Sequence, residues 1–353
     1  MFRNQRNQAQ PASLKSRIFS VPTLLSFVIA MGVIALLATR VDLDWGATWD
    51  TVRGMNPWLY VLGFLLYYAS FVFRGMRWRL LAINAGLRSS PDARLPSTLQ
   101  CSQLILIGWF INSIAGLRLG DAYRTYAFSE DSKGGFSWSL GTVLAERALD
   151  MVLILGILVV SATVLAATSD TNTSGYILAA FAMAVGLAAV VITMKMYGVR
   201  LARLLPNRIE AAYQRFHQGA LGSFKQLPIL AVLGLAAWFL EIARLYLVIR
   251  ALDLDVALAL VPVVALGHAL LSIVPTPGGV GAVEPGMTGL LLLSLEPHEA
   301  LSVTLVDRSI TYVSIIVIGG LVFLLRQVML ARQRRQRAPA ADAATQQEGA
   351  LDS

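Results

Sequence analysis

The chain has 353 residues, 56% of them hydrophobic and only 14% charged, with a mean hydropathy of +0.64; a soluble domain carries about 25% charge. This excludes an ordinary soluble enzyme and indicates a polytopic membrane protein. The net charge of +8 sits at the ends of apolar runs and in the tails, which is a topology signal and not a nucleic-acid footprint. One cysteine, Cys101, rules out an intrachain disulfide, and His217, His268 and His298 show no metal-ligand spacing. No metal or other cofactor is expected.

Residues 1–20 form a polar, basic tail. Apolar runs long enough to serve as spans then follow at 21–39, 57–73, 98–115, 138–167, 176–194, 228–249, 256–274, 282–295 and 300–325. Between them lie basic stretches at 1–17, 74–94, 195–225 and from Arg326 onward, and the positive-inside rule assigns all four to the cytoplasm. Arg74, Arg77 and Arg79, interleaved with Trp78, read best as an anchor at the membrane surface, with a lipid-phosphate contact as the alternative. Arg208–Gln218 places Ile209, Ala212, Tyr213 and Phe216 on one stripe, the pattern of a helix lying on the inner leaflet. The membrane domain is expected over 21–326, followed at 327–353 by a tail that is basic and then disordered.

Parity constrains the crossings. If 98–116 crossed the membrane, the basic stretch 195–225 would be forced outside. The economical arrangement is an all-α fold with six full spans, both termini cytoplasmic, and two re-entrant hairpins. One turns around Asn112–Gly120 and the other around Pro275–Gly281, entering from opposite faces. A bundle in which every apolar segment crosses is the alternative.

Charge and glycine mark both turns. The first reads NSIAGLRLGDAYR from Asn112 to Arg124 and the second PTPGGVGAVE from Pro275 to Glu284. Irregular backbone at membrane depth persists only where it is buried in protein or lines a watery cavity, and interrupted segments in both halves of a chain point to a transport site. Arg118, Arg124 and Arg308 are therefore candidate headgroup ligands, with the backbone around Gly278, Gly279 and Gly281 exposed at a tight turn. Asp121, Glu146, Asp150, Glu284 and Asp307 are candidate counter-charges or proton carriers. Glu146, Arg147 and Asp150 open their segment and can neutralise each other locally, whereas Glu241 and Arg244 form an i, i+3 pair. Asp307 and Arg308 are adjacent and must point different ways. Glu284 requires a cation, and Arg118 or Arg308 can supply it.

The stretch FRGMRWRLL, the two turns, the AERALD run and the late DRSITY together resemble the lysylphosphatidylglycerol synthase transmembrane-region family, also described as flippase-like or UPF0104 membrane proteins. The resemblance spans about 21–325. It implies movement of a polar-headgroup lipid, whether phospholipid, glycolipid or hopanoid-type, across the inner membrane, with membrane lipids and lipid-synthesis enzymes as partners and no nucleic acid. The family's first turn resembles proline, a basic residue, glycine and an acidic residue; here Leu117-Arg118-Leu119-Gly120-Asp121 follows Ser113-Ile114 without that proline. The chain continues only briefly past the last span, so lysyl transfer to phosphatidylglycerol is not expected. An intramembrane transferase and a non-transporting partner of a synthesis complex are the competing readings, and the chain shows no nucleophile paired with a histidine to favour the enzyme.

Overall fold

The computed structural model describes residues 44–87, 93–115, 117–168, 196, 206–333 and 336. Within them the chain is helical and contains no strand. The expected spans at 21–39 and 176–194 and both terminal tails lie outside or largely outside the described residues.

Helix α1 (Trp45–Arg53) is capped by Asp44, whose carboxylate accepts from Ala47 N at 2.9 Å. Asn56 caps α2 (Pro57–Asn84) in the same way, with proline pre-set for the first turn. This helix runs eleven residues beyond the expected end at Phe73. It does so because Arg74 and Arg77 find carboxylates inside the bundle and need no water.

A capping box of Ser97 and Gln100 starts α3 (Thr98–Ile114). The chain breaks after it and returns as α4 (Leu119–Ser132). The two form a hairpin whose open end is tied where Arg94 N donates to Ser132 O at 3.0 Å. Their close approach requires glycine, since a Cβ on Gly120 would overlap Gly108 O. After a short turn comes α5 (Phe136–Thr168).

Helix α6 (Asn207–Gly222) passes through a 3-10 turn (Ser223–Gln226) into α7 (Leu227–Ala251). The stripe expected on the membrane surface is half-buried, apart from exposed Ile209, and α6 is anchored against α5, because Gly219 and Gly141 let the backbones of the two helices touch. A second hairpin follows: α8 (Leu260–Leu271), an irregular stretch containing the turn Pro277–Gly279, and α9 (Val283–Leu291). Finally α10 (Pro297–Arg308) continues through π-helical turns at Ser309–Val313 and Ile315–Gly319 as one helix to Gln333.

Among the described residues, four helices are long and apolar enough to cross a membrane: Pro57–Asn84, Phe136–Ala167, Ile209–Ala251 and Pro297–Gln333. They correspond to four of the six expected full spans, and the two hairpins fall where the sequence interrupts itself. The burial pattern is that of a protein solvated by lipid. Phe239, Val160 and Val232 are exposed, whereas Arg77, Arg124 and Asp307 are completely buried.

Candidate functional site

The tips of the two hairpins meet. Leu117 N donates to Pro275 O at 3.4 Å, and the Tyr312 hydroxyl, from α10, donates to Ser113 O at 3.3 Å. Each turn solves its geometry differently. Leu117 and Arg118 take left-handed backbone at φ 62 and 53, which costs a residue with a Cβ roughly 1–2 kcal/mol. In the second turn the left-handed positions are Gly278, Gly279 and Gly281. Asn112 closes the first turn by accepting from Gly120 N at 2.8 Å.

Beside the tips lies a cavity of about 150 Å³, walled in part by Arg118, Arg147, Arg74, Arg244, Arg308 and His268. Among the described residues, Asp150 and Glu241 are the carboxylates that line it. From the cavity an alternating chain of charge runs through the bundle. Asp121 is 2.8 Å from Arg147, 3.2 Å from Arg124 and 3.4 Å from Arg118. Arg124 reaches Glu146 at 2.8 Å, Glu146 reaches Arg77 at 3.3 Å, and Arg77 reaches Asp150 at 2.8 Å. Arg74 lies 3.9 Å from Asp150 and 3.2 Å from Glu241. Glu241 continues to Arg244 at 3.4 Å, which pairs with Asp307; His268 Nδ1 is 3.2 Å from the other Asp307 oxygen. Separately, Arg308 Nε is 2.9 Å from Glu284 and its Nη2 donates to Gly278 O at 3.1 Å.

Aromatic faces complete the lining. Arg74 is held between Trp109 and Trp238, at 5.1 and 4.8 Å from the ring centres, and Trp238 Nε1 donates to Asp150. Arg308 lies 4.5 Å over Tyr312. In a low-dielectric interior, breaking one such pair would leave an uncompensated charge costing about 3–5 kcal/mol.

Of the candidate headgroup ligands, Arg118, Arg308 and Gly278 line the cavity. Arg124 stands behind the wall, fully buried over Trp78. The amides of Gly279 and Gly281 are already taken by Thr276 O and the Glu284 carboxylate. Among the counter-charges, Asp150 faces the cavity, Asp121 and Glu284 hold arginines that line it, and Glu146 and Asp307 are buried links of the chain.

Several local readings are corrected. Arg74 and Arg77 are not a surface anchor; both are buried in ion pairs. Glu146, Arg147 and Asp150 lie well inside α5; Arg147 does attract its two neighbours through space, but their direct ion pairs run to α2 and α4. The expected pairing of Glu284, by contrast, is found: of Arg118 and Arg308, the partner is Arg308. The sequence gives His268 no metal-ligand spacing, and the apolar run around it gives no sign of its aspartate on α10. Among the described residues no cluster of His, Cys, Asp or Glu could hold a metal ion.

A helical membrane bundle with two interrupted hairpins meeting at a charged internal cavity is the class that this fold and site define. The model of the family described as "Lysylphosphatidylglycerol synthase TM region" matches residues 23–319, and the chain belongs to that family. It is 28% identical over 226 residues to the UPF0104 membrane protein MJ1078 of Methanocaldococcus jannaschii, covering 61% of this chain and 94% of that protein. A UPF0104 membrane protein of Methanothermobacter thermautotrophicus is 23% identical over 331 residues, 83% of this chain and 93% of the relative. Glycosyltransferase AglD of Haloferax volcanii is 23% identical over 352 residues, spanning 86% of this chain but 54% of that protein.

Proposed function

We propose that the protein moves a polar-headgroup lipid between leaflets of the cell's inner membrane, without itself catalysing a chemical step. The headgroup enters the arginine-walled cavity while the tails remain in the bilayer. The observation that carries this reading is the meeting of the two interrupted hairpins at that cavity, since broken helices facing each other at depth supply both water access and polar contacts. In this reading the described long helices and the two apolar runs at 21–39 and 176–194 are the full spans, the hairpins are re-entrant, and both termini are cytoplasmic. Phospholipid, glycolipid and hopanoid-type headgroups are the substrate classes, and lipid-synthesis enzymes are natural suppliers.

A second reading, a membrane partner or an intramembrane transferase, draws on the relative named a glycosyltransferase. One assay separates the two. Proteoliposomes should move headgroup-labelled lipid between leaflets faster than empty liposomes, and Glu284→Gln should slow this at least about tenfold with folding retained, because Arg308 loses its counter-charge. Leaflet exchange unchanged by folded protein across phospholipids and glycolipids would remove the transport reading. Wild-type rates from Glu284→Gln would reduce the second turn to a structural role.

A further inference from the structure

Helix α10 is not wound as a plain spanning helix would be. Between Arg308 and Gly320 it makes two successive π turns, and Ser314 N donates to Ser309 O, five residues back. Such turns are rare, and each encloses one residue more than an α turn. The lipid-facing stripe shows what the extra residues do. Leu305, Val313, Val317 and Leu321 are all exposed. In an unbroken α-helix, at about 100° per residue, Leu305 and Leu321 would point about 160° apart; discounting one residue for each π turn brings them to about 40°. The π winding therefore sets the direction in which everything beyond it faces.

The wide turns are held from one side, by three tyrosines of α2. Tyr60 bonds Ser309 Oγ at 2.9 Å, Tyr68 bonds Ser314 Oγ at 2.7 Å, and Tyr67 donates to Thr311 O at 3.4 Å. The hydroxyls of Ser309 and Ser314 donate in turn to Val306 O and Ile310 O within α10. Donors of this kind satisfy the carbonyls that an irregular membrane helix frees. Without them the regular α ladder is the alternative winding.

The first π turn also stands between the two residues that join α10 to the hairpin tips. Arg308, just before it, reaches Glu284 and Gly278 O; Tyr312, inside it, donates to Ser113 O. Beyond the second turn α10 is fastened lightly to α4. Arg326 pairs with Asp131 at 2.8 Å, Gln327 donates to the Tyr123 hydroxyl at 3.1 Å, and the Phe323 ring meets that of Tyr123. Of the four long helices, α10 is the least buried. Relaxing one π turn to α winding would rotate this half of α10 by about 100° around its axis and take Arg326 away from Asp131. Relaxing the first would also draw Tyr312 from Ser113.

We propose that the two π turns are the moving joint of α10, and that Tyr60, Tyr67 and Tyr68 are positioning residues that keep it wound while the tips are joined. The role of the joint rests on the lipid movement proposed above: relaxation parts α10 from the first hairpin, and rewinding restores the contact.

Distances between spin labels test this in the full-length chain in liposomes. Labels at Lys133→Cys and Ala331→Cys, both exposed, with Cys101→Ala as background, report the far half of α10 against α4. Two distance populations are expected. Tyr60→Phe combined with Tyr68→Phe removes two hydroxyl bonds and no bulk, and should raise the minor population at least about threefold. Deleting both Val313 and Val317 takes one lipid-facing residue from each π turn and leaves α winding with the register beyond it unchanged. That variant should fold, show the single distance of the fastened form, and all but stop moving lipid. A single population in the wild type, populations indifferent to the two phenylalanines, or wild-type lipid movement by the folded double deletion would overturn the proposal. If the double deletion does not fold, the populations of the tyrosine variant decide. A wild type whose two populations respond as described but which moves no lipid would remove the translocation reading and leave the joint standing.

Discussion

The two hairpin turns do the same topological job with opposite chemistry. The first places side chains, Leu117 and Arg118, at left-handed positions and tolerates the strain; the second places Gly278, Gly279 and Gly281 there and has none to tolerate. What each turn presents follows from that choice. The first offers a guanidinium to the cavity, and the second offers backbone, with Gly278 O receiving Arg308 and the amides of Gly279 and Gly281 already engaged. One turn is built around a charged side chain that it presents, the other around how closely it must approach its neighbours.

Substitutions at the turns sharpen that difference. The largest effect is expected where backbones touch: Gly120→Ala forces a Cβ onto Gly108 O, which cannot retreat without opening the first hairpin. A loss of about 3 kcal/mol, at the upper end of overpacking costs, should appear as a lower melting temperature in detergent. Gly278→Ala should cost less, about 1–2 kcal/mol for the left-handed backbone, because the obstacle is the Tyr312 ring, which can turn aside. That movement should disturb the ring contact with Arg308 and slow lipid movement more than it lowers stability. Smallest, and opposite in sign, is Arg118→Gly. Relief of the left-handed strain should stabilise the fold by about 1 kcal/mol while headgroup binding falls. Destabilisation by that substitution would mean that the arginine is a structural member of the first turn.

The sequence announces the turns far better than it announces their partners. Glycine, proline and charge inside apolar runs mark both breaks to within a few residues, because irregular backbone in lipid leaves a local signature. The i, i+3 pair of Glu241 and Arg244 is legible in the same way and forms at 3.4 Å, but the ion pairs between distant helices leave no such signature. Arg74 and Glu241 are 167 residues apart, and Arg77 and Glu146 are 69 apart, so nothing near Arg74 in the chain distinguishes a buried ion pair from a membrane-surface anchor. The same holds for His268, whose aspartate arrives from α10. Where a charge is forced by its position to face inward, as with Asp307 and Arg308, the adjacency alone correctly separates their directions: one turns to Arg244 and the other to Glu284.

The central claim is that the meeting of the two tips is the working part of the molecule, and a reversible clamp tests it most directly. With Cys101→Ala as background, Leu117→Cys and Pro275→Cys place thiols on the exposed residues whose backbones share a hydrogen bond at 3.4 Å. A short, reductant-cleavable bis-thiosulfonate should link them in folded protein reconstituted into liposomes. Headgroup movement should then stop and should return on reduction. A clamped protein that moves lipid at the unclamped rate would contradict the account, and so would folded protein whose two thiols cannot be joined.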